Sequence, residues 1–258
     1  MQFSANHTRV TRISLVIVYT LGVSELPQRL ILLLSDKEGL ERRAAVVEAL
    51  DITDMPFAPA VVGPAHGFAG IRQVASELPD LLLKHRPHAV HLSLGHADLL
   101  RRVEEDGMSY TNERFAEIER YLHQAIDAVV ECSMCEFVIT TAAPVRDELQ
   151  DDVRMNDVER LNTVIRSVAA SRDVLVDRLD LVISREETPS DMDNSSEAHL
   201  AEDGRRFSSV GVRLAARSNC SAITDVLLRA EHPWRQMMRG GMGGGLDGLS
   251  RPPHPELS

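Results

Sequence analysis

Arg29-Leu30-Ile31-Leu32-Leu33-Leu34 is an almost unbroken apolar run, closed by Ser35-Asp36, and its reading decides the fold class. It lacks the apolar–polar alternation of a strand with one wet face, so the run predicts a β-strand buried on both faces. Downstream, Leu40, Ala44, Val47 and Ala49 or Leu50 recur near helical spacing. Ala58 to Val62 reads as a second strand, ended by Gly63-Pro64, and Ile71, Val74, Leu78 and Leu81 mark a helix that His85-Arg86-Pro87 closes. A third strand runs from Ala89 to Leu94. After it, Phe115, Ile118, Leu122, Ala125, Val129 and Cys132 form the longest amphipathic stripe in the chain. Phe137 to Thr140 is a fourth strand; Val158, Leu161, Ile165 and Val168 give another helix, and Val174 to Val176 a short fifth strand. A last helix starts near Ser208 and passes Leu227. Parallel neighbours require crossover connections, so this alternation predicts an α/β fold: a three-layer α/β/α sandwich on a central parallel sheet of about five strands, flavodoxin-like in type. Leu32, Val62, Leu92, Ile139 and Leu175 are its expected buried strand residues. Ligands of such sheets sit beyond the carboxyl ends of the strands.

Composition narrows the function. A chain of 258 residues with 43% hydrophobic and 26% charged residues has a real core. Its formal net charge of −11 argues against nucleic acid or an anionic membrane surface as partner, and 4% aromatic residues leave little for base stacking. Three cysteines make no disulfide framework; Cys132 and Cys135 read as small residues at a helix end. Residues 1–28 are an N-terminal segment. Arg9 and Arg12 precede the mostly apolar run Ile13 to Val23, which resembles a signal peptide; an extra β-strand or an overlong gene start are the alternatives. The run is too short for an integral membrane span. Both a cytoplasmic and an exported location stay open. Residues 29–232 are the folded domain, and the Gly/Pro-rich 233–258 reads as a disordered tail.

Four segments at the predicted strand ends carry a resemblance. Leu78 to Asp98, with its Leu94-Gly95-His96-Ala97-Asp98 close, looks like the helix, strand and G-x-N-D block of the SGNH (GDSL-type) hydrolases. Val61-Val62-Gly63-Pro64-Ala65-His66-Gly67 resembles the block whose glycine amide helps to bind an oxyanion. Glu202-Asp203-Gly204-Arg205-Arg206-Phe207-Ser208 resembles the D-x-x-H block, and Leu34-Ser35-Asp36-Lys37 falls on the G-D-S-L segment. The resemblance spans about Arg29 to Ala230 in the family's order. It implies a serine nucleophile, a histidine base oriented by an aspartate, and an oxyanion held by the serine and glycine amides and an asparagine.

Against that pattern the chain departs. On this alignment the nucleophile column holds Asp36, with Ser35 one place earlier; the asparagine column holds Ala97; the base column holds Arg206, which cannot accept a proton. Gly67 and the orienting Asp203 remain. An Asp36–Arg206 carboxylate–guanidinium pair is the expected replacement for the Ser–His pair, although Ser35-Asp36 also suits a helix cap. Two functions stay open. One is a protein that has lost serine-esterase catalysis and retains a cleft for a small acyl or carbohydrate ligand, or a protein partner. The other is a divergent esterase in which Ser35 attacks an ester with His199 as relocated base. His66, Gly95, His96 and Asp98 complete the expected binding residues. No cofactor is implied, and a metal site from His66, His96 and Asp36 lacks a close ligand pair. No oligomeric state can be read.

Overall fold

The computed structural model describes residues 19–20, 26–37, 39–53, 55–93, 96–99, 112–132, 135–145, 153–186, 199–201, 203 and 206–230. Six strands form one sheet. They are β1 (Tyr19–Thr20), β2 (Gln28–Ser35), β3 (Ala58–Val62), β4 (Ala89–Ser93), β5 (Glu136–Thr140) and β6 (Leu175–Asp177), in the order β1-β3-β2-β4-β5-β6. β2 to β6 are parallel, as the apolar runs predict, and β1 adds antiparallel to the outer edge of β3. Thus two residues of the Ile13–Val23 run lie in an extra strand; the rest of the run, like the tail 233–258, lies outside the described residues.

Helices cover both faces. They are α1 (Gly39–Asp51), α2 (Ile71–His85), α3 (Asn112–Glu131), α4 (Met155–Ser171), α5 (Leu179–Glu186) and α6 (Ser209–Ala230), with one further helical turn at 96–99. Strand side chains alternate between faces. Leu32, Leu34, Val62, Val90, Leu92 and Ile139 pack on α2, α3 and α4. Ile31, Leu33, Val61, Ala89 and Val138 pack on α1 and α6, against Val46, Leu50, Ile223 and Val226. Leu32, Val62, Leu92 and Ile139 are buried as expected, but Leu175 is only half-buried. It sits on β6, which has a strand neighbour on one side alone. Among the described residues no helix is long and apolar enough to cross a membrane.

The first parallel strand, β2, lies between the second and the third. Its order therefore reverses between β2 and β4, and crevices at such switch points open beyond the strand ends. The last residues of the strands on the α1/α6 face are all polar: Ser35, Ser93, Thr140 and Asp177 stand side by side in register. The apolar core thus ends one residue short of the carboxyl edge.

Candidate functional site

At the carboxyl edge, β2 continues for one residue beyond its end. Asp36 bridges Phe68 in parallel register, and the Phe68 amide donates to the Ser35 carbonyl at 3.0 Å. This lays the loop after β3 against the turn after β2. The approach is so close that a Cβ on Gly67 would overlap the Lys37 amide nitrogen and Cα. Glycine is required there by contact rather than by conformation. Ser35 turns the other way: it is buried on the α1 face, its Cβ 2.5 Å from where a side chain on Gly39 would begin. Asp36 is buried too, and its Oδ1 accepts the Gly39 amide at 2.8 Å, capping α1. Among the described residues of this turn, the exposed one is Lys37.

The loop after β4 is held by buried polar groups. His96 Nε2 lies 2.9 Å from the Ala143 carbonyl; a carbonyl only accepts, so this nitrogen carries the proton. Both Asp98 oxygens accept the Ile71 amide, at 3.1 and 2.9 Å, and so cap α2. The preceding Gly70 has φ +155, and a Cβ there would lie 2.5 Å from Asp98 Oδ1. Ala97 has no donor, as read from the sequence. His66 is half-exposed, 4.0 Å from Glu77. Gly95 lies outside the described residues.

The last block is a hairpin ahead of α6. Leu200 bridges Phe207, the Ala201 amide donates to the Arg206 carbonyl at 2.7 Å, and the Ser208 amide donates to the His199 carbonyl at 2.9 Å. Here the expected Asp36–Arg206 pair is corrected. Arg206 turns back on its own hairpin, donating from its amide to Asp203 Oδ1 at 2.9 Å and from Nε to Oδ2 at 2.5 Å, with its side chain 56% exposed. A partner three residues away costs less ordering than one across the cleft, while Asp36 is already bound to the start of α1. His199 is buried, and no hydrogen bond joins it to Ser35.

Two buried arginines tie these segments together, and neither was singled out by sequence. Arg42 Nη2 donates to Ser93 Oγ at 2.9 Å and its guanidinium lies 5.0 Å from the Phe207 ring centre, joining α1 to β4 and to the hairpin. Arg43 donates to the Pro64 and Leu33 carbonyls. Beneath them lies a cavity of about 20 Å³, lined by Ser35, Arg42, Ser93, His91 and Asn219 among others. That is room for about one water, too little for a substrate. Beside it Asp177 accepts from Ser218 Oγ and Asn219 Nδ2, each at 2.5 Å, while His91 Nε2 lies 2.8 Å from Thr140 Oγ1 and 4.0 Å from Asp177. Burial pushes the Asp177 pKa up, but the nearby His91 ring and the bonds from Ser218 and Asn219 outweigh it and hold the carboxyl below its usual range. The polar last residue of each strand was the available sequence signal for this network.

No family model matches the sequence, and no curated protein matches it. Solved structures do match. A lipase/acylhydrolase from Enterococcus faecalis superposes with a TM-score of 0.60 at 16% identity, over 76% of this chain and 96% of that one. A variant acetyl xylan esterase from Geobacillus stearothermophilus gives 0.59 at 15%, over 78% and 97%. A GDSL-like lipase from Parabacteroides merdae gives 0.55 at 12%, over 79% and 98%. The chain therefore has the fold of the SGNH esterases and hydrolases. Among the described residues no group of three or more His, Cys, Asp or Glu could hold a metal ion.

Proposed function

We propose that this is an SGNH-fold protein that has lost serine-esterase catalysis and binds a small acyl ligand in the cleft between the β2, β3 and β4 loops. One observation carries the reading: the backbone that meets Gly67 is the Asp36–Lys37 peptide, closest at the Lys37 amide nitrogen and Cα. In an enzyme of this fold the nucleophile's own amide and the glycine amide hold the same oxyanion, so the nucleophile must lie against that glycine. On this register Lys37 takes the nucleophile position, one residue beyond the Asp36 assigned by sequence. No hydroxyl or thiol stands there, Ala97 has no side-chain donor, and Arg206 cannot act as a base. Losing one oxyanion donor typically costs a factor of about 10²–10³ in rate, and loss of the nucleophile leaves only residual catalysis.

The divergent-esterase alternative needs Ser35 to reach an ester and His199 to take its proton. Ser35 is 7% exposed and faces α1, which speaks against it. The deciding experiment treats the purified chain with a fluorophosphonate and with a short-chain p-nitrophenyl ester. The expected result is neither labelling nor hydrolysis above a denatured control. Labelling at Ser35, or hydrolysis abolished by Ser35→Ala, would overturn the proposal.

A further inference from the structure

We infer that the small cavity behind the Ser35–Asp36 turn is a site for a single halide ion, chloride in ordinary solution. Its polar lining is made mostly of groups with protons to give. Arg42 and Arg43, both buried, carry guanidiniums that stay charged and accept nothing. Ser93 Oγ already accepts from Arg42 Nη2, so the proton of that hydroxyl is still to be placed. Ser35, 7% exposed, also lines the cavity, and its hydroxyl makes no hydrogen bond to any described residue. Burying a hydroxyl without a partner is costly, and the cavity is where a partner fits. The site is separate from the cleft. Ser35 faces α1, whereas Gly67 packs on the backbone on the other side of the turn.

Size and charge narrow the occupant. A volume of about 20 Å³ admits one water or one halide ion and excludes carboxylates, phosphate and other polyatomic anions. A water has two protons of its own to place, and acceptors in the lining are scarce. Asn219 spends its amide hydrogens on Asp177 and Thr140, which leaves its carbonyl oxygen, and His91 Nε2 is engaged with Thr140. No carboxylate is among the described lining residues. Asp36 and Asp177 stand close by, but they already receive the Gly39 amide and the Ser218 and Asn219 donors. A halide has no proton to place, and in a poorly screened interior two guanidiniums favour it over a neutral water. The net charge of −11 opposes any anion at long range and keeps the affinity modest. Residues of β2, α1, β4 and α6 line the cavity, so a bound ion braces all four elements behind the turn.

The test is urea unfolding of the full chain in sodium chloride, sodium bromide or sodium gluconate at matched ionic strength, gluconate being too large to enter. Chloride and bromide should stabilise saturably. At about 0.2 M the unfolding constant should be about tenfold lower than in gluconate, the ratio for a site about nine-tenths filled. Chloride should also slow hydrogen exchange at the Gly39 and Phe68 amides, whose bonds to Asp36 and to the Ser35 carbonyl hold the turn. Ser35→Ala, which loses no described hydrogen bond, should fold and keep less than about a twofold chloride effect. Val46→Ile, which adds a methyl to the cavity wall, should fold and show none. A crystal grown in bromide should give an anomalous peak beside Ser35 and Arg42. Equal midpoints in chloride and gluconate, a chloride effect that Ser35→Ala leaves whole, or a water alone in the bromide crystal would each overturn the site. A bromide peak without saturable stabilisation would mark an adventitious ion only, and would overturn it too.

Discussion

Changing Lys37 to serine restores a hydroxyl at the turn packed on Gly67, yet that change alone should leave the protein inert. On the proposed reading Arg206 leaves the turn without a base, and Ala97 leaves the oxyanion without its third donor. Neither Lys37→Ser nor Arg206→His should therefore raise p-nitrophenyl acetate hydrolysis above background. The triple change with Ala97→Asn should raise it by at least about 10²-fold, the worth of one such donor. Activity in the single Lys37→Ser variant would show that a base is already present. Asp177 gives a second residue-scale prediction. Its folded pKa is depressed, so its stabilisation is fully present above the unfolded value of about 3.9 and fades as pH falls through the lower folded value. Urea midpoints should drop as pH falls below about 4. Asp177→Ala, which strands the Ser218 and Asn219 donors, should cost about 2–4 kcal/mol at pH 7 and flatten that pH dependence.

At the scale of elements, α2 depends on a residue that precedes none of its own turns. Asp98→Ala leaves the buried Ile71 amide unsatisfied and should cost about 1–2 kcal/mol by denaturant titration. Gly70→Ala meets the same carboxylate from the other side, with a positive φ added, and should cost at least as much. The strands were legible because burial on both faces leaves an unmistakable apolar run, as in Ile31 to Leu34. Their ends were less so. β2 runs on through Ser35, because its backbone pairs with β4 whatever the side chain. On the proposed register, which keeps Asp36 in step with the aspartate of G-D-S-L, Lys37 rather than Asp36 would fall on the serine. α5 was not read at all, since eight residues give too short a stripe to recognise. The buried Arg42 and Arg43 were hidden for a different reason: charge on a helix ordinarily signals solvent, and only the polar row at the strand ends gives it somewhere to go inside.

For the whole molecule, the site is where the topology reverses, and the elements that shape it come from opposite ends of the chain. β2 and α1 are made early, while α6, which covers their face of the sheet and crosses β4, β5 and β6, is the last of the described elements to be made. During synthesis at about 5–20 residues per second, on the order of 10–40 s separate the completion of β2 from that of α6. From the time each is made until α6 follows, Ile31, Leu33, Val61 and Val138 face no lid beyond α1. A nascent chain of this design should therefore depend on holding chaperones until α6 clears the ribosome. A version stopped at Ser208 should accordingly bind the dye ANS strongly and aggregate, while the same chain supplied with residues 209–230 as a separate peptide should lose most of that dye signal.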